Sequence, residues 1–228
     1  MLGLTLIRGD DMDFAAARLN MVNSQILPNR VTDEKVISVM AELPRESFLP
    51  KPLQGIAYAD EALAIGEGRY VMEPMIIARL LQALELKPTD VALSIGCGCG
   101  YGVAALASIV NTVVAVEADG TMAGRASQTL GDLEIDNVVV VDGPLNEGYA
   151  KQAPYDVIFF DGAVSEMPAQ ITAQLAEGGR AIAIVSSAGG MGRAQIFLRN
   201  GGAVSSRDVF DAGTPVLPGF EADLVFSF

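Results

Sequence analysis

Three features of this chain predict an α/β fold built on a mostly parallel sheet. From residue 87 onward, short runs rich in β-branched and apolar residues alternate with stretches of helical periodicity. The first of these runs ends in a glycine-dense turn, Gly96-Cys-Gly-Cys-Gly-Tyr-Gly102, that leads straight into a helical segment. The second run ends in an acid, Glu117. A strand–helix cadence of this kind places helices on both faces of a parallel sheet.

The elements follow in order. Val91–Ile95 reads as a strand, 103–110 as a helix, Thr112–Val116 as the second strand and Thr121–Leu130 as its helix. Val138–Val141 and Asp156–Phe160 are further strands, Met167–Leu175 a helix and Arg180–Val185 the next strand. A helix is expected over Arg193–Leu198, and a terminal β-hairpin from Ala203–Phe210 and Ala222–Phe228. Upstream, Met12–Ile26 shows helical spacing until Pro28-Asn29 breaks it. Thr32-Asp33-Glu34 signals a capped second helix that Pro44 ends, and Pro74 opens a third running to Leu84. The Pro- and Gly-rich stretch between Phe48 and Tyr70 is expected to be irregular. One domain over 1–228 is the simplest division, with a helical and substrate-loop extension at 12–86 and an α/β core at 87–228. Met12 is the expected natural start, with 1–11 a loose tail.

Composition narrows the function. Asp and Glu outnumber Lys and Arg 28 to 15, a formal charge of −13, which argues against nucleic acid as partner because phosphate backbones need clustered cations. The chain has no His, so a Cys/His zinc site is excluded and no metal is expected. Its two cysteines, Cys97 and Cys99, are too close for an ordinary disulfide, which points to a reducing, cytoplasmic compartment. No stretch approaches the roughly 18 apolar residues of a membrane span. Oligomeric state leaves no mark in the sequence.

The glycine-rich turn is the most informative segment. A strand, turn and helix in this order aim backbone N–H groups and a helix N-terminus at a ligand. A dinucleotide site requires glycines spaced G-x-G-x-x-G. Counting from Gly96 puts Tyr101 at the last position, and counting from Gly98 puts Val103 there, so neither register fits. Gly96, Gly98, Gly100 and Gly102 instead suit close approach by a ligand without a pyrophosphate. Glu117, about 20 residues on, can accept both hydroxyls of an unphosphorylated ribose. Asp142-Gly143, after the third strand, stands where an acceptor meets an adenine amino group. An adenosine-containing ligand is the expectation.

At this point the residues resemble a known family. The loop and its acid resemble the first motif of Rossmann-like S-adenosylmethionine-dependent methyltransferases. Further segments are similar to protein-L-isoaspartate O-methyltransferases: Arg18-Leu-Asn-Met21-Val22-Asn-Ser-Gln25, Leu43-Pro44-Arg45-Glu46-Ser-Phe48, Ala57-Tyr58-Ala-Asp60, Pro154-Tyr-Asp156-Val-Ile158 and Gln174 with Gly178-Gly179. The resemblance spans about residues 14 to 220. It implies S-adenosylmethionine as cofactor, bound by Ser94, Gly96, Gly98, Gly100, Glu117, Asp142 and Gly143. It also implies an isoaspartyl protein or peptide as acceptor, esterified on its carboxylate as a repair reaction.

Two departures stand out. The family usually has an acid where this chain has Ser94. The family's substrate loop reads Ile-Gly-x-Gly-Gln-Thr-Ile-Ser-x-Pro, whereas this chain has Ile65-Gly66-Glu67-Gly68-Arg69-Tyr70-Val71-Met72-Glu73-Pro74. Arg69, Tyr70 and Met72 thus replace Gln, Thr and Ser at the expected acceptor end. Arg69 and Tyr70 are candidates to bind an acceptor carboxylate, while Met72 brings no donor. A carboxylate needs no general base at neutral pH, and a chain without His suits such an acceptor. Three readings stand: a carboxyl methyltransferase acting on isoaspartyl groups or a small carboxylate, a methyltransferase of the same fold with another acceptor, and a non-catalytic paralogue that binds S-adenosylmethionine or nothing.

Overall fold

The computed structural model describes residues 13–186 and 191–221. The expected tail at 1–11, the start at Met12 and the final β run at 222–228 lie outside the described residues.

Asp13 opens the first helix, α1 (Phe14–Met21), its side chain accepting from the Ala16 N–H at 2.9 Å. The helix continues as a π-turn over Val22–Ile26 and a 3-10 turn over Leu27–Asn29 that holds Pro28, and it ends at Arg30, which takes the left-handed conformation at φ 62°. Asp33 caps α2 (Glu34–Glu42) by accepting from the Lys35 N–H at 2.9 Å. The stretch expected to be irregular is more ordered than its Pro and Gly content suggests. It holds two 3-10 turns, Arg45–Phe48 and Lys51–Ile56, and a two-stranded hairpin, β1 (Leu63–Gly66) with β2 (Arg69–Val71). Glu67 and Gly68 make its turn at φ 49° and 69°, so this part of the stretch expected to be irregular is a hairpin turn. Helix α3 (Pro74–Ala83) follows.

The main sheet has seven strands: β3 (Val91–Ile95), β4 (Thr112–Glu117), β5 (Val138–Asp142), β6 (Tyr155–Val164), β7 (Leu175–Val185), β8 (Arg193–Asn200) and β9 (Ala203–Asp211). They lie in the order β5-β4-β3-β6-β7-β8-β9, parallel from β5 through β7 and antiparallel at the β7–β8 and β8–β9 edges. Helices α4 (Tyr101–Ala107), α5 (Gly120–Asp132) and the short α6 (Ala169–Thr172) make the crossovers. The expected helix over Arg193–Leu198 is strand β8, and the hairpin pairs it with β9. The apolar pattern there is too short to separate the two periods, and pairing to β7 decides it. Strands β6 and β7 also run longer than their apolar runs because each extends along the other: Leu175, expected to end the helix from Met167, pairs with Tyr155 instead, and Ala163 and Val164 pair with Ile184 and Val185.

Alternation along the strands divides the core in two. Ala92, Val113, Ala115, Val157 and Phe159 face a cluster built with α2 to α5, while Leu93, Ile95, Val114, Val116, Ile158 and Phe160 face one built with Leu145, Ile171, Leu217 and Phe220. The chain winds outward from β3 to β5, then returns to the other side of β3 with β6. The switch point therefore lies between the C-terminal ends of β3 and β6, where open α/β sheets bind ligands.

Arg180 of β7 ties the helical extension to this sheet. It donates to the Leu84 carbonyl, to the Glu85 carbonyl at 2.9 Å and to the buried Asp90 carboxylate at 2.6 Å. Removing its charge strands Asp90 in a dry setting. Arg180→Met should lower unfolding free energy by about 2–4 kcal/mol in urea titration. A loss under about 0.5 kcal/mol, the range of ordinary surface changes, would show the clamp to be incidental.

Candidate cofactor and acceptor site

The glycine-rich turn leaves β3 at the switch point. Gly96 adopts φ 79°, and a Cβ there would stand 2.8 Å from a Leu217 methyl and 2.9 Å from the Arg69 guanidinium, so only glycine fits. Gly98 and Gly100 also take positive φ, at 54° and 94°. Gly100 is the N-terminal cap of α4.

Glu117 closes β4 beside this turn and is 1% exposed. One carboxylate oxygen, Oε2, accepts from the Gly98 N–H at 2.7 Å, and the other, Oε1, from the Ala118 N–H at 2.9 Å and the Asp119 N–H at 3.3 Å. The Arg69 guanidinium reaches both, with Nη1 at 3.4 Å from Oε1 and Nη2 at 3.2 Å from Oε2. Nη2 also donates to the Gly96 carbonyl at 2.5 Å. Asp142 pairs in register with Glu117 one strand over, and the Gly143 N–H donates to the Glu117 carbonyl at 3.0 Å. Asp142 and Gly143 line a cavity of about 310 Å³ together with Val116, Pro144 and Tyr149. The structure thus brings Gly96, Gly98, Glu117, Asp142 and Gly143 to one end of the sheet.

Ser94 is fully buried in β3, and its hydroxyl has no hydrogen-bond partner among the described residues. Arg69 Nε and Arg45 Nη1 are buried and unpartnered in the same sense. Buried donors left unmet cost free energy and are rare in folded proteins. Such orphans, with a glycine cradle and a buried acid at a switch point, fit a polar ligand with a ribose.

Asp161, at the far side of the switch point in β6, carries no signal in the sequence that singled it out. An Asp within an apolar strand usually marks only a strand end, and its role appears once β6 is seen to lie beside β3. Its carboxylate packs against Gly102 at the start of α4. Burial raises its pKa from 3.8 to about 7; Arg69 and Arg45 pull it down and Glu117 pushes it up.

The three expected acceptor residues do not converge. Period-2 alternation in β2 turns Arg69 and Val71 inward and Tyr70 outward. Arg69, expected at the acceptor, is buried on Glu117 and the Gly96 carbonyl beside the glycine turn. Tyr70 is 36% exposed, and Met72 is fully buried in the main core. The Met72 side chain therefore packs rather than facing an acceptor, while its carbonyl accepts from Arg45 Nη2 at 2.8 Å.

Arg45 is itself fully buried. It donates from Nε to the Ala57 carbonyl at 2.7 Å, and its guanidinium lies 4.6 Å from the centre of the Tyr101 ring. Arg18, Glu46 and Tyr58 join in one network, with Arg18 Nε donating to the Tyr58 hydroxyl at 2.8 Å and Tyr58 donating to Glu46. These motif residues brace the extension against the site. Burial, with Glu117 and Asp161 nearby, pushes the Cys97 thiol well up, and burial raises Cys99 to about 11. Both stay protonated at neutral pH, filling the turn without thiolate reactivity.

A mostly parallel sheet with this switch point, a glycine turn outside the dinucleotide register and a buried acid ending the next strand are the marks of the class of S-adenosylmethionine-dependent methyltransferases. Residues 18–212 match the family model described as Protein-L-isoaspartate(D-aspartate) O-methyltransferase (PCMT). The chain belongs to that family. A protein-L-isoaspartate O-methyltransferase 1 from Rhodopseudomonas palustris (strain HaA2) is 39% identical over 176 residues, 77% of this chain and 72% of the relative. One from Roseiflexus castenholzii is 38% identical over 188 residues, covering 82% and 84%. A solved protein-L-isoaspartate O-methyltransferase superposes with a TM-score of 0.77 at 26% identity, over 89% of this chain and 66% of that one. A Plasmodium falciparum structure, described as a putative member in complex with S-adenosyl-L-homocysteine, shares the fold at TM-score 0.75 and 19% identity, over 91% and 99%. Among the described residues no helix is long and apolar enough to cross a membrane.

Between pH 4 and 7 the folded chain holds the Asp161 proton that the unfolded chain has released, so this group's contribution to stability falls as pH rises and levels off above about 7. Asp161→Asn should therefore stabilise the protein more at pH 8 than at pH 5, by about 1–3 kcal/mol between the two. Equal denaturation midpoint shifts at both pH values would show that Asp161 titrates as an exposed carboxylate.

Proposed function

We propose that this chain methylates a carboxylate with S-adenosylmethionine, the acceptor being an isoaspartyl group in a protein or peptide. The observation that carries this is the buried Glu117 carboxylate, bonded to the Gly98 N–H at the mouth of β3. It is a fixed acceptor pair at the position where a ribose diol is held. The bound cofactor supplies one thing, a methyl group on a sulfonium. The chain's own residues do the positioning, which is the main contribution to an in-line displacement.

Glu117 takes the ribose, Asp142 and Gly143 border the adenine side, and the backbone at Gly96, Gly98 and Gly100 allows close approach. Ser94, buried with a free hydroxyl, offers a neutral hydrogen bond to the amino-acid end. The acceptor carboxylate is ionised at neutral pH and requires no base, in keeping with a chain that has no His. Tyr70 is the donor left on the open side of the hairpin. A small carboxylate would satisfy the same chemistry. The reading of Cys97 and Cys99 as free, protonated thiols suits a reducing cytoplasm.

Transfer of labelled methyl to an isoaspartyl peptide, beside its ordinary aspartyl twin, tests this. Label should enter the isoaspartyl peptide alone, as a base-labile ester. Glu117→Gln should weaken S-adenosylhomocysteine binding by about 1–3 kcal/mol in calorimetry. Cofactor binding without transfer to either peptide would favour a binding protein of the same fold, a reading that the Arg69–Glu117 contact also supports.

A further inference from the structure

We infer that Arg69 is an intramolecular stopper of the nucleoside site, and that a ribose binds only when the β1–β2 hairpin withdraws this guanidinium from Glu117. The inference rests on the S-adenosylmethionine reading of the site. Its first ground is a count. A carboxylate has about four lone-pair directions. Glu117 already meets three backbone N–H groups and two guanidinium nitrogens, so no direction is left for a diol. When Arg69 leaves, the three backbone donors remain and one direction opens, on Oε2, for a ribose hydroxyl; the second hydroxyl competes on Oε1 only with the long 3.3 Å contact from the Asp119 N–H.

The second ground is space. The volume over Gly96 is filled by Arg69 Nη2 and by the Leu217 methyls, which arrive from opposite ends of the chain. Arg69 is the polar one and the one that competes for Glu117. The third ground is the build of the hairpin. Among the described residues it forms its own two-stranded sheet, with no strand pairing to the seven-stranded sheet. Its turn, 66–68, is exposed and directly precedes Arg69, so the guanidinium's route to water is short. Arg45 grips the chain just past β2, through the Met72 carbonyl, at the end of the hairpin away from the turn.

A ligand that must first displace an internal occupant binds with its intrinsic affinity reduced by the fraction of open protein. Arg69→Gln keeps a neutral polar side chain, and it leaves Glu117 with its three backbone donors, which hold the carboxylate in place.

The test titrates S-adenosylhomocysteine into the unaltered protein and Arg69→Gln by calorimetry, and follows amide hydrogen exchange of residues 63–71 with and without it. The variant should bind about fivefold more tightly or better. In the unaltered protein the ligand should speed exchange in the hairpin as it opens. The exchange measurement needs no variant and stands if Arg69→Gln fails to fold. Equal or weaker binding by a folded variant, or hairpin amides slowed by the ligand, would overturn the stopper while leaving the cofactor reading intact. No binding by either folded protein would overturn both.

Discussion

A carboxylate buried at the end of β4 imposes the central constraint on this molecule. Glu117 is 1% exposed, and an ionised group taken so far out of water must be met by hydrogen bonds or by an opposite charge. Three backbone N–H groups do the first, and one of them, from Gly98, ties the glycine turn to β4. Arg69 does the second, and in doing so pins the β1–β2 hairpin over the turn. The shape of the turn, the seat of the hairpin and the state of the ligand site all follow from how this one acid is satisfied.

Several residues that carry the family resemblance turn out to be structural partners of that arrangement. Arg18, Glu46 and Tyr58 are far apart in the chain, yet they close one ionic and hydrogen-bonded network that fixes the extension's first helix to the turns after Pro44. Arg45, buried under the Tyr101 ring, holds the chain at Ala57 and Met72. Such buried, charge-assisted contacts add geometric definition more than net stability. They place the hairpin at the mouth of the site to within a side chain's reach.

The charge inside the site departs from a simple anion-lined pocket. Arg69 and Arg45 bring two guanidinium groups beside Glu117 and Asp161, and Ser94 adds a hydroxyl with no charge. Asp161, which burial drives toward its neutral form, is the group best suited to absorb changes in this balance. A ligand carrying positive charge gains most from the site when Arg69 is displaced and Asp161 ionised.

The local pattern was sufficient for much of this. Apolar β-branched runs set the parallel strands, glycine spacing excluded a dinucleotide, and the acid ending β4 stood out beside the glycine turn, because each depends on residues adjacent in sequence or one strand apart. Other features depended on contacts that no local pattern encodes. Arg193–Leu198 became a strand because β7 offered a free edge, and the Pro- and Gly-rich stretch became a hairpin because Leu63 and Val71 found burial. Asp161 acquired importance only when the crossover laid β6 beside β3. Arg69 shows the division most sharply. Its presence in the loop was plain, but whether it faced an acceptor or Glu117 turned on the pleat of a three-residue strand and on a carboxylate 48 residues away. A side chain's chemistry is written in the sequence, while its partner is chosen by tertiary packing, since only there do burial and distance fix which charge it must neutralise.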